Sequence, residues 1–148
     1  MGLEIIRLNL VSPLYYVRDE GADPFSYREG KGEMVFHFEL EPNQCRSIEP
    51  DEGALLGALI AGGRAADKAA SPEAALVLPG GNYLFSQVRE ILSRRDIAGL
   101  AAEVQKEGLW QRLRPGKELY LRYLFEDGLG VTQVFRPYTE AINAGLLP

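Results

Sequence analysis

Side chains that attack, ligate or move protons near neutral pH are scarce in this chain of 148 residues. There is one histidine, His37, and one cysteine, Cys45. A nucleophilic thiol needs a base within reach, and His37 is the only imidazole on offer. Cys45 therefore reads as a small, half-buried side chain. A single cysteine excludes an internal disulfide and fits a reducing compartment. A Ser-His-Asp triad would also have to use His37, and the chain holds no GxSxG elbow. Zinc and iron sites draw on Cys and His, so a metal centre would have to be built mostly from carboxylates. Asp19-Glu20, Glu39 with Glu41, Asp51-Glu52 and Glu126-Asp127 are the available pairs, and each reads as ordinary loop or cap chemistry. GxxxxGK[ST], GxGxxG after a strand, HExxH and CxxC are all absent. Neither a metal nor a cofactor is expected.

The elements that must position these groups follow from periodicity. Leu3 to Arg18 alternates as strand, with apolar residues on both faces, and so reads as an interior strand bent near Ser12-Pro13. Gly21 to Gly32 is a glycine-rich loop. Met34, Phe36, Phe38 and Leu40 form one face of a strand and Val35, His37 and Glu39 the other. Pro50, Asp51 and Glu52 suit a helix start. Leu55, Leu56, Leu59 and Ile60 continue that helix to a stop at Gly62-Gly63; a buried strand through Leu55 to Ile60 is the alternative. Ala75 to Val88 is strand, tight turn, strand, with Leu78-Pro79-Gly80-Gly81 marking the turn or a bulge. Ser86 to Glu107 is the strongest helical stretch, ended by Gly108. Its apolar patches, Val88-Ile91-Leu92 and Ile97-Leu100-Ala101-Val104, are out of phase, which implies a bend near Arg95 to Gly99 or a second helix capped by Asp96. Leu119 to Phe125 and Gly130 to Phe135 make a hairpin around Glu126-Asp127-Gly128, and a loose tail follows Pro137.

Composition bounds the partners. Apolar residues at 46% and charged residues at 25% are the usual globular mix, and the length fits one domain, residues 1–148. A net charge of −5 argues against direct nucleic-acid binding, which needs a basic face. Arg94-Arg95 and the Arg112, Arg114, Lys117 group are flanked by acids and read as solvated faces. No apolar run approaches the roughly 18 residues of a membrane span, and Met1 to Leu10 lacks the pattern of a secretory signal. A cytoplasmic protein is expected.

Three segments carry a family likeness: EIIRLNLVSPLYYVRDEG (Glu4 to Gly21), VLPGGNYLFSQ (Val77 to Gln87), and KELYLRY followed by VTQVFRPY (Lys117 to Tyr123 and Val131 to Tyr138). In order and spacing they resemble the opening strand, the second-repeat strand and the closing hairpin of the GyrI-like small-molecule-binding domain. That domain is also the effector module of multidrug-responsive transcription regulators. Together they cover about a third of the chain. The resemblance implies an α+β fold with a mostly antiparallel sheet and helices on one face. It also implies two pseudo-symmetric strand-helix-strand-strand halves around an aromatic cleft. The first half is atypical, because Gly21 to Gly32 is too short for the expected helix. Cleft candidates are Tyr15, Tyr16, Tyr83, Phe85, Trp110, Tyr120 and Phe135, large aromatics of the kind that line ligand pockets.

Gln133 stands where drug-sensing members carry a buried glutamate, which points to a neutral or weakly polar ligand; Glu118 on the adjacent strand would restore charge if it faced the cleft. A Gln133→Glu change is then expected to favour flat aromatic cations and to place an unpaired carboxylate in the interior. The expected function is a stand-alone binding module for a small hydrophobic or aromatic molecule, with any regulatory output passing through another protein. An inhibitor module docking on a protein partner is the alternative. A small-molecule hydrolase is the third reading, with Tyr120 and Glu118 as its acid–base groups. It is set aside on the view that these two leave the strand on opposite faces, so the chain reads more as a binder than an enzyme.

Overall fold

The computed structural model describes residues 4–19, 32–41, 57–65, 75–90, 94–126 and 128–140. These hold nine strands: β1 (Ile5–Leu10), β2 (Leu14–Arg18), β3 (Met34–Glu39), β4 (Leu59–Arg64), β5 (Ala75–Leu78), β6 (Gly81–Val88), β7 (Leu113–Pro115), β8 (Glu118–Glu126) and β9 (Leu129–Glu140). The helix described in full is α1 (Arg94–Trp110). Every pairing is antiparallel, in the order β1-β6-β9-β8-β3-β4-β2-β5, with β7 added on β9. The expected sheet, with its helix on one face, is present.

The sheet curls. β1 and β2 are one strand broken at residues 11–13, and β5 and β6 are one strand broken at 79–80. They pair as a bent ribbon, Leu10 opposite Gly81 and Leu14 opposite Leu78. One end of the ribbon pairs with β9 through β6, and the other pairs with β4 through β2. The sheet therefore returns to the same ribbon at both ends and encloses a concave face. The corner demands small residues. A Cβ on Gly80 would stand 3.1 Å from the Leu10 carbonyl oxygen. A Cβ on Gly63 would stand 3.0 Å from both the Val17 carbonyl oxygen and the Tyr16 Cβ.

The convex face packs α1. Ile97, Leu100, Ala101 and Val104 recur at helical spacing and meet Phe36, Phe38, Leu84, Leu119, Leu121, Tyr123 and Val134. Burying each large side chain contributes roughly 1.5–3 kcal/mol. Gly108 lies inside the helix, not at its end; a Cβ there would stand 2.5 Å from Leu84 Cδ1 and 3.3 Å from Pro115 Cγ, so glycine lets α1 approach the sheet closely. The chain leaves the helix through Arg112, at φ 62°, a left-handed exit of the usual kind. Buried Arg136 joins helix to sheet, its Nε donating to the Gly116 carbonyl at 2.7 Å and its Nη1 to Gln105 Oε1 at 2.6 Å.

Several expectations are corrected. β1 pairs only with β6 among the described residues and is half exposed, an edge strand and not an interior one. Ser86 to Val88 belong to β6. The two apolar patches were out of phase because the first begins in a strand and the second lies in a helix. Asp96 sits in the first turn of α1, where acids are favoured. Gly62 and Gly63 lie within β4, not at a helix stop, and β9 continues beyond Pro137 to Glu140. Cys45, the Pro50 helix start, Leu55, Leu56, Ile91 and Leu92 lie outside the described residues.

Candidate functional site on the concave face

Strand alternation sends every second residue of β6, β9, β8 and β3 to the concave face, and the register stacks them into two rows. Phe85 lies opposite Phe135, Phe135 opposite Tyr120, and Tyr120 opposite His37. Two ring pairs touch in this row: Phe85 and Phe135 centroids are 4.9 Å apart, and His37 stacks on Tyr120 at 4.8 Å with a 12° interplanar angle. Tyr83 meets Phe135 edge-on at 5.6 Å. Tyr16, Val35, Leu76 and Leu78 complete this apolar cluster. Edge-to-face and stacked pairs of this kind add about 0.5–1.5 kcal/mol each beyond area burial.

The next row is polar: Gln87 opposite Gln133, and Gln133 opposite Arg122. Gln133 is only 7% exposed. Its Nε2 donates to Gln87 Oε1 at 2.7 Å, and its Oε1 accepts from Arg122 Nη1 at 3.1 Å. Arg122 Nε and Nη2 donate to Glu33 Oε2 at 3.1 and 2.9 Å, and the Tyr16 hydroxyl donates to the same oxygen at 2.6 Å. One cation and one carboxylate are thus joined with two amides and a phenol, so the band holds compensating charges. No other hydrogen bond reaches Glu33, Arg122, Gln133 or Gln87 among the described residues. Among the described residues, further N–H groups on Arg122 and both glutamines, and Glu33 Oε1, have no second partner.

Burial keeps the phenols neutral. The Tyr16 hydroxyl is pushed well above its ordinary range, first by burial and then by its hydrogen bond to Glu33. Tyr83 is raised mainly by burial, and its hydroxyl donates to the Pro79 carbonyl at 2.5 Å. Tyr120 is pushed up to about 12 by burial and then by the nearby Glu118.

Of the residues nominated from sequence, Tyr16, Tyr83, Phe85, Tyr120, Gln133 and Phe135 come together on this face, and Glu118 joins them through His37. Tyr15 and Trp110 do not. Tyr15 is 62% exposed because it alternates with buried Tyr16. Trp110 ends α1 on the convex side and is 83% exposed. The supposed opposition of Glu118 and Tyr120 also fails: two residues apart on β8, they share a face, and His37 touches both. Nor would a carboxylate at position 133 be unpaired, since Arg122 already donates there.

Sequence reasoning missed Arg122, Glu33 and Gln87 and discounted His37. Alternation along β8 already puts Glu118, Tyr120 and Arg122 on one face, a legible signal. The register that brings Gln87, Gln133 and Glu33 to Arg122 is not legible along one strand. No group of three or more His, Cys, Asp or Glu capable of holding a metal occurs among the described residues. Nor is any helix there long and apolar enough to cross a membrane. No protein-family model matches the chain, and no curated protein matches it.

Proposed function

We propose that the chain is a small-molecule-binding module whose ligand lies on the concave face, over the polar row and against Phe85. The observation that carries this reading is the nearly buried Gln133 amide, held between Arg122 and Gln87 beside a row of aromatic rings. Sites for small molecules combine apolar walls with a few fixed polar groups. The ligand class is neutral or weakly polar and planar, because Glu33 already balances Arg122 and the spare groups are mostly amide-type donors. A ligand carbonyl would accept from them. The likeness to GyrI-like domains points the same way, though a short extra strand, β7, stands between α1 and the closing hairpin.

The test is isothermal titration with a neutral panel (coumarin, 2-quinolinone, 1-naphthamide) and a cationic dye such as rhodamine 6G. Neutral carbonyl compounds should bind more tightly than the dye, and Arg122→Met should weaken them at least tenfold. Equal or absent binding across the panel refutes the reading. A protein-docking role is favoured instead by β1, an edge strand that exposes Ile6, followed by exposed Val11. Pull-down of a stoichiometric partner lost on Ile6→Lys would support that alternative.

A further inference from the structure

The polar row is lopsided at its Glu33 end. Glu33 stands one residue before β3, and alternation puts it on the face of Val35, whose partner on β8 is Arg122. Three donors converge on Glu33 Oε2: Arg122 Nε at 3.1 Å, Arg122 Nη2 at 2.9 Å and the Tyr16 hydroxyl at 2.6 Å. None reaches Oε1 among the described residues. An ionised carboxylate accepts through both oxygens, so half of its capacity is left for a visitor. The donors beside it are also incompletely used. Arg122 spends one N–H from each nitrogen, on Glu33 and on Gln133 Oε1. A guanidinium carries a second N–H on each terminal nitrogen, so Nη1 and Nη2 each keep one. The free acceptor and the free donors therefore flank a single hydrogen bond, Nη2 to Oε2.

These groups are open to a ligand. The Arg122 and Glu33 side chains are 20% and 30% exposed. Gln87, at the far end of the row, is exposed, and Phe85 beside it is half-buried, with exposed Ile6 opposite on β1. The packed rings of Tyr83, Tyr120 and Phe135 take no part. Two strand spacings, roughly 10 Å in all, separate β6 from β8, which matches the length of a fused two-ring molecule. Charge narrows the class. An anion would set a like charge against Glu33, and a cation would do so against Arg122. A neutral molecule with an acceptor alone would take water from Glu33 Oε1 and give nothing back, which is costly. A neutral edge with a donor and an acceptor side by side satisfies both groups. We propose that the site reads the cis N–H/C=O edge of a planar lactam. The lactam N–H donates to Glu33 Oε1, its carbonyl accepts from the remaining Arg122 N–H groups, and its ring body extends over Gln133 toward Phe85.

The inference rests on the concave face being a ligand surface and narrows what that surface takes. The probes are 2-quinolinone and coumarin, which has the same shape but a ring oxygen in place of the N–H. A site built around a hydrogen bond rejects the analogue that lacks it. By isothermal titration 2-quinolinone should bind at least tenfold more tightly than coumarin. Glu33→Gln keeps an oxygen for Arg122 and Tyr16 but presents an N–H₂ group in place of Oε1. It should weaken 2-quinolinone at least tenfold and change coumarin less than threefold. A measurement on the unmutated protein stands beside the variant: a nuclear Overhauser contact from the lactam N–H to the Glu33 γ protons is expected. Equal affinity for the two probes overturns the lactam reading and leaves the binding reading standing. Tenfold selectivity that survives Glu33→Gln, or an N–H contact to another residue only, also overturns it. Binding of neither probe overturns both readings.

Discussion

Taking the protein above pH 10 should unfold it before its buried tyrosines ionise. Tyr16, Tyr83 and Tyr120 all have phenol groups raised by burial, Tyr120 to about 12. The unfolded chain releases these protons near pH 10. A folded-state pKa raised above the unfolded value contributes stability that is fully present below pH 10. That stability is lost as pH rises toward the folded pKa. Within that window each group removes about 1.4 kcal/mol per pH unit, so three together remove about 4 kcal/mol per unit. A domain at the low end of the usual total of about 5–15 kcal/mol would be exhausted roughly one unit above pH 10, before Tyr120 reaches its folded pKa of about 12. Absorbance at 295 nm and far-ultraviolet circular dichroism, followed together during alkaline titration, test this. The chain has seven tyrosines. Tyr16, Tyr83 and Tyr120 should ionise in a late, cooperative step that coincides with loss of the dichroism signal. Smooth ionisation of these three near pH 10 with the dichroism intact would mean that their hydroxyls are open to water in the folded protein.

Other expectations follow from single contacts. Gly63→Ala puts a methyl 3.0 Å from the Val17 carbonyl oxygen and should cost about 1–3 kcal/mol, as overpacking does, read as a lowered denaturant midpoint. Gln133→Glu should change stability by no more than about 1 kcal/mol, because Arg122 converts a neutral hydrogen bond into a charged one while the new carboxylate loses water. It should not improve binding of a cationic dye, since Arg122 holds the added charge; a tenfold gain in rhodamine affinity would contradict this. Trp110, the only tryptophan and 83% exposed, should emit as a solvated indole and stay unchanged when ligand saturates the concave face. A blue shift on ligand addition would place the site elsewhere.

Much of the fold is legible because alternation is local. Met34 to Leu40, Ala75 to Val88 and the closing hairpin all declare themselves through period-two patterns and turn residues. The failures come where burial depends on partners far along the chain. β1 looks apolar on both faces but lies at a sheet edge. Leu59 and Ile60 read as the end of a helix, yet they open β4, which lies in the sheet between β2 and β3. Its glycines, which suggested a helix stop, permit the close crossing of β2. The aromatic members of the site were visible as residue types. Tyr15 and Trp110 lie apart from the others, because an aromatic residue does not announce which face it takes. The polar row was invisible because three strands must register, and the residue before β3 must join them, before Gln87, Gln133, Arg122 and Glu33 meet.

The binding claim is tested most directly by assigning the side-chain amide signals of the glutamines and the Arg122 Nε–H, then titrating the protein with 2-quinolinone. Saturable shifts at Gln133, Gln87 and Arg122, with Gln111 on the convex side unmoved, are the predicted result. Shifts confined to Gln111 or to the β1 edge, or none at saturating ligand, would contradict it.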